Sequence, residues 1–210
     1  MNETHNNQPG GSVSLNPNPN FNPNLKFEAV HKGHLDIVEF LSNNGANLAS
    51  ENAFGQTPLI RAASFRQSQV IALLCGCKAD SNMETTKGKT PLMAASLDNN
   101  EEVVAALLLS GAVVNLETQR GKTALIHAAE TGEADDIELL VRGHADPNYE
   151  SNHGQTALTA AAAAGQVECC AALTHLGSKI DAESRKGVTA LMEVSFMSFS
   201  KVVWIMMMKT

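Results

Sequence analysis

Aromatic side chains are scarce in this sequence: they make up 4% of its 210 residues, with a single Trp and a single Tyr. A core built on large rings is excluded, and the abundant Ala and Leu suit helices packed closely through small side chains. Cationic charge is also in deficit. Fifteen Lys and Arg face 22 Asp and Glu, for a formal net charge of −7. A general nucleic-acid binder needs a basic face to neutralise phosphates, so that class is excluded, although a local basic stripe remains compatible with the total. Long apolar runs are missing as well. The longest near the end, residues 202–208, has seven residues, where a membrane helix takes about 20. The N-terminus, MNETHNNQPGG, lacks the basic and apolar regions of a signal peptide. These absences point to an intracellular protein, cytoplasmic or nuclear, with no membrane insertion. The four cysteines then read as thiols in a reducing compartment rather than a disulfide framework. There is no G-x-x-x-x-G-K-S/T phosphate loop, no G-x-S-x-G elbow and no H-E-x-x-H pair, so no enzyme and no cofactor are expected.

What is present is repetition. Residues 1–23 are polar and rich in Asn and Pro, as in NPNPNFNPN. They carry too little apolar surface to offset chain entropy and are expected to form a disordered tail. From residue 24 onward, a shift of 33 brings one set of features into register. Gly55, Gly88, Gly121, Gly154 and Gly187 are 33 apart, as are Thr57, Thr90, Thr123, Thr156 and Thr189. The pairs that follow are Pro58-Leu59, Pro91-Leu92, Ala124-Leu125, Ala157-Leu158 and Ala190-Leu191. A further column reads Gly45, Lys78, Gly111, His144 and Gly177.

Each unit has a physical logic. The Thr hydroxyl can accept a backbone N–H of a first helical turn, and Pro at the first helical position loses only a donor that had no partner. A short Ala-rich helix follows, then a turn at Gly33, Arg66, Asn99, Gly132, Gly165 and Ser198. A longer amphipathic helix comes next, such as Val103-Val104-Ala105-Ala106-Leu107-Leu108, with apolar residues at helical spacing. It ends at the Gly45 column, the expected left-handed cap. Lys78 and His144 stand in that column and are expected to carry backbone strain.

The period, the T-P-L start, the Ala pair, the turn Gly and the G-A-x-x-N ending together resemble the ankyrin repeat. The resemblance covers residues 24–210, in units of about 24–50, 51–83, 84–116, 117–149, 150–182 and an incomplete 183–210. It implies an all-α solenoid of helix pairs joined by hairpin loops, acting as a non-catalytic protein-interaction scaffold. The alternative is a targeting module or fragment of a larger protein, such as a ubiquitin-ligase adaptor, a kinase or a channel. One departure stands out. The family's His after T-P-L is replaced by Ile60, Met93, Ile126, Thr159 and Met192. That His usually links neighbouring loops, so its loss suggests a looser array more dependent on apolar packing.

Cys75, Cys77, Cys169 and Cys170 match no standard zinc spacing. Cys169 and Cys170 fall in the register of Val103 and Val104 and read as core residues; no metal is expected. In ankyrin arrays the hairpin tips and first-helix surface usually meet partners. Two charge columns fall there. Glu51, Glu84, Glu117, Glu150 and Glu183 form one; Lys87, Lys89, Arg120, Lys122, His153, Arg185 and Lys186 form the other. They read equally as a self-neutralising solvated surface and as a polar rim around an apolar groove. Phe54 is a further contact candidate at a tip. The groove candidates are Phe65, Leu97, Ala163, Ala164, Phe196 and Met197. The partner expected is another protein, with acidic segments as candidates for the basic column. Acids on the second helices, Glu101, Glu102, Glu133, Asp135, Asp136 and Glu138, are expected on the outer face. The last unit carries Val194, Phe196, Phe199, Val202, Val203, Trp204, Ile205, Met206, Met207 and Met208. So apolar an end is expected to belong to a longer array, to dock onto a partner or to self-associate.

Overall fold

The computed structural model describes residues 24–96, 100–181, 187, 189, 190 and 192. The described elements are all helical and fall in pairs. These are α1 (Leu25–Lys32) with α2 (Leu35–Asn43), α3 (Pro58–Ser64) with α4 (Ser68–Gly76), and α5 (Pro91–Ala95) with α6 (Glu101–Leu109). The series continues with α7 (Ala124–Thr131) and α8 (Ala134–Arg142), then α9 (Ala157–Ala164) and α10 (Val167–His175). First helices stack on first helices and second helices on second helices, so two parallel layers run along the array.

The starts of α3, α5, α7 and α9 are set by the Thr column. Thr57, Thr90, Thr123 and Thr156 each accept the N–H of the residue three positions on, at 3.2 Å. Thr156 and Thr159 add a reciprocal capping box. The second helices all stop in one way. The N–H of Gly45, Lys78, Gly111, His144 and Gly177 turns back to the carbonyl of Ser42, Cys75, Leu108, Val141 and Thr174. The next N–H reaches Leu41, Leu74, Leu107, Leu140 and Leu173. These are Schellman closures, which place the hinge residue in the left-handed region. Lys78 and His144 do take it, with φ of 66° and 71°. In the turn column Gly33, Arg66, Gly132 and Gly165 are left-handed too; Asn99 and Ser198 lie outside the described residues.

The core is the repeated meeting of the two layers. Leu59, Ile60, Ala62 and Ala63 of α3 and their equivalents face Val70, Ile71 and Leu74 of α4 and theirs. Cys169 and Cys170 are fully buried in that row, beside Leu173. Burial pushes the Cys169 thiol up to about 11 and the Cys170 thiol to about 12, so both stay protonated as small apolar groups. One expectation needs correcting. Asp136 is fully buried, not on the outer face, because the register puts it in the row of Val70, Val103 and Cys169. Its neighbours Asp135 and Glu138 are exposed, as are Glu101 and Glu102.

Nor do the units rest on apolar contact alone. Where the family's His is missing, three other polar columns cross from unit to unit. Asn82 accepts from Val113 N (2.6 Å) and donates to Gly111 O (3.3 Å). Asn115 accepts from Asp146 N (3.0 Å), and Asn148 accepts from Lys179 N (2.8 Å) and donates to Gly177 O (3.1 Å). Each Asn thus matches a peptide edge of the following unit, while Asp80 and Asp146 close the local turn. Gln67 and Gln166 donate back to His31 O and Glu130 O. The third column belongs to the hairpin tips.

Candidate functional site

A tip is built from a short side chain and a glycine. Asn52, Thr85, Thr118 and Ser151 each place a side-chain oxygen on the N–H four residues ahead. The same residues pair their own N–H with the carbonyl of that position. Gly55, Gly88, Gly121 and Gly154 take the left-handed turn between. The tips are thereby closed by their own sequence and projected beyond the helix layers.

The acidic column ties each tip to the next. Glu51 accepts from Thr86 N (2.8 Å) and Thr86 Oγ1 (2.7 Å). Glu84 accepts from Gln119 N at 3.0 Å, and Glu117 from Asn152 N at 2.9 Å and the Tyr149 hydroxyl at 3.0 Å. The Thr86 backbone N–H, then its hydroxyl, hold the Glu51 carboxyl below the usual carboxylate range. These carboxylates thus tie adjacent tips together while staying partly exposed.

The basic column does something different. Lys87 Nζ donates to Phe54 O at 2.6 Å, and its methylenes lie across Gly55. Arg120 lies across Gly88 in the same way, and His153 across Gly121. Each of these three side chains folds over the preceding tip and remains exposed. Lys89 is exposed, whereas Lys122 is half-buried and paired with Glu130 of α7. Phe54, at the tip before α3, is 69% exposed. Phe65, at the end of α3, is 42% exposed. It meets His31 edge-on at 4.3 Å between centroids and lies under Arg61 at 5.0 Å. Ala163 is half-buried and Ala164 exposed at the end of α9. Leu97, Arg185, Lys186, Phe196, Met197 and the apolar residues after Val194 lie outside the described residues.

Lys87, Arg120 and His153 are thus brought into one stacked row, and Lys89 and Lys122 into a second row at the foot of the first helices. Sequence reasoning passed over His127 on α7, whose ring lies within electrostatic reach of both lysines of the second row. Burial, then the charges of Lys122 and Lys89, hold its imidazole below the usual histidine value of 6.5. Neither ring nitrogen has a hydrogen-bond partner. Its column, Arg61, Ala94, His127 and Ala160, alternates polar and small residues; that alternation was the signal available.

Among the described residues no group of three or more His, Cys, Asp or Glu side chains converges as a metal site. No described helix is long and apolar enough to cross a membrane. The sequence model for ankyrin repeats (3 copies) matches residues 26–118, 106–184 and 125–209. The chain belongs to the ankyrin-repeat family. Its fold is similar to the crystal structure of EF0377, an ankyrin repeat protein, with a TM-score of 0.73 and 22% identity over 89% of this chain and 98% of that one. A stretch of 48 residues is 44% identical to the probable 26S proteasome regulatory subunit p28 of Saccharomyces cerevisiae. That stretch is 23% of this chain and 21% of the yeast protein, so the chain spans about a fifth of that relative.

Proposed function

We propose that this chain is a non-catalytic protein-interaction scaffold inside the cell. Its hairpin tips and first-helix face would take a partner segment rich in acidic side chains. One observation carries the reading. The two charge columns are held differently: Glu51, Glu84 and Glu117 accept hydrogen bonds from the next tip's backbone, with Glu51 also within electrostatic reach of Lys87. Lys87, Lys89 and Arg120 keep exposed side chains. A protein of net charge −7 thereby presents cations along one edge. Phe54 and Phe65 supply exposed apolar surface at the N-terminal end of that edge, and aromatic side chains are enriched at protein interfaces.

The test is a four-site variant, Lys87, Lys89, Arg120 and Lys122 all to Ser, compared with the parent by quantitative cross-linking in cells. Circular dichroism and melting serve as the fold check, since Lys87 also covers Gly55. Partners lost by the folded variant, and released from the parent as salt shortens the Debye length below about 8 Å, support the reading. An unchanged partner set with a flat salt response overturns it.

A further inference from the structure

Beside the second basic row lies a histidine whose ring nitrogens are buried and unpartnered. Lys89 stands at the tip before α5, Lys122 at the tip before α7, and His127 one turn into α7. Glu130, three residues on, pairs its carboxylate with Lys122 Nζ. The seat therefore already holds a carboxylate, supplied by the chain itself, at one of its two lysines. Both nitrogens of the His127 ring are shielded from solvent and have no hydrogen-bond partner, a costly arrangement for a polar group.

The charges that bear on the ring are Lys122, Lys89 and Glu130. The first helices on either side, α5 and α9, carry no titratable residue. In α8, Asp135, Asp136, Glu138 and Arg142 are not among the charges acting on the ring. Two cations thus face a neutral imidazole across one partly satisfied carboxylate. A second carboxylate brought to the lysines would offset their repulsion, and the ring could then accept a proton.

Resting on the acidic-partner reading above, we propose that Lys89, Lys122 and His127 form the seat for a carboxylate side chain of the bound segment, and that His127 takes up a proton when the seat is filled. Binding is then linked to protonation: whatever raises the proton affinity of the complex over the free protein makes affinity rise as pH falls. Glu130 is the internal competitor for Lys122.

The probe is a rhodamine-labelled oligo-aspartate of about twelve residues, whose carboxyls stay ionised between about pH 6 and pH 8. Its affinity is measured by fluorescence anisotropy at constant ionic strength. The parent chain is expected to bind about fivefold more tightly at the lower pH, at the weak end of coupling between sites. His127→Gln should bring that ratio close to one, Glu130→Gln should tighten binding at both pH values, and Lys89→Ser should weaken it at both. If His127→Gln keeps the parent's pH ratio, the proton linkage is wrong while the acidic-partner reading stands. If the peptide binds but Lys89→Ser and Glu130→Gln have no effect, the seat is elsewhere. If the parent does not bind the peptide at either pH, the acidic-partner reading and this inference fall together.

Discussion

Two rows of left-handed residues run the length of this molecule, and they tolerate side chains differently. The tip row reads Gly55, Gly88, Gly121, Gly154 and Gly187, with φ between 69° and 75°. The row that ends the second helices reads Gly45, Lys78, Gly111, His144 and Gly177, with φ between 66° and 95°. Conformation alone costs a residue with a Cβ about 1–2 kcal/mol in either row. The surroundings separate them. A Cβ at Gly55 would stand 2.9 Å from Lys87, one at Gly88 2.8 Å from Arg120, and one at Gly121 1.7 Å from His153. At Gly45, Gly111 and Gly177 no described atom would lie within 4 Å, and the same holds for Gly187 at the end of the tip row. Strain by itself is accepted at two of five units, whereas strain combined with a collision is accepted at none. Gly55, Gly88 and Gly121 therefore report contact between units as well as a turn, whereas Gly45, Gly111 and Gly177 report only a turn.

The largest effect expected follows directly. Gly121→Ala should cost more than Gly111→Ala: both carry a conformational term of about 1–2 kcal/mol, and only Gly121→Ala must also displace the His153 ring. Equilibrium denaturation of both measures the gap. His153→Ala in the Gly121→Ala background should recover the excess and leave the conformational part. Equal losses in the two single variants would break the comparison. Next in size is Glu117→Ala. It strips a carboxylate from Asn152 N and the Tyr149 hydroxyl and should cost about 1.5–2 kcal/mol, the low end for hydrogen bonds to a charged group because the Asn152 contact is exposed. A melting curve that does not move would mean the tips are fixed by glycine and cation packing alone.

The turn between paired helices sharpens the argument. At Gly33 a Cβ would meet Gln67 Oε1 at 2.6 Å, and at Gly132 it would meet Gln166 Oε1 at 2.9 Å. Both amides reach back to the preceding unit. Where Arg66 replaces the glycine, with φ of 57°, the following unit has Asn100 instead of Gln. The shorter side chain turns forward to cap α6, accepting from Val103 N at 3.3 Å. Asn100→Gln should therefore cost about 1 kcal/mol through the lost cap and crowding at Arg66. Arg66→Gly should restore part of it. A double variant no better than Asn100→Gln would show that the two positions are independent.

Much of this was legible in the sequence because it recurs inside one unit. The Thr caps, the core cysteines and the left-handed Lys78 and His144 all follow from a column and a local rule. What escaped reaches between units. The Glu51 and Thr86 contact spans 35 residues and Gln67 to His31 O spans 36, while alignment at a period of 33 compares equivalent positions and is blind to contacts between different ones. The Glu column therefore read as surface. Asp136 escaped for another reason: charge was weighed before register, although its column already said core. His127 was not singled out, because what distinguishes it is the charge of Lys89 from the preceding unit.

The smallest effect tests the tolerant row itself. Lys78 and His144 have exposed side chains and left-handed backbones, and both close their helices with the same hydrogen bonds as the glycines. Replacing either by Gly removes about 1–2 kcal/mol of conformational strain and adds about 0.5–1 kcal/mol of backbone entropy to the unfolded chain. The balance is a gain of roughly 0.5–1 kcal/mol for each. In a chain of this size that is about 1–4 °C in melting temperature. The two sites stand 66 residues apart in different units, so the gains should add. Differential scanning calorimetry of Lys78→Gly, His144→Gly and the pair resolves shifts of that size. A lower melting temperature in both single variants would mean that the Lys and His side chains stabilise the folded state by more than the strain they bear, and the tolerance of this row would then need a cause other than open space.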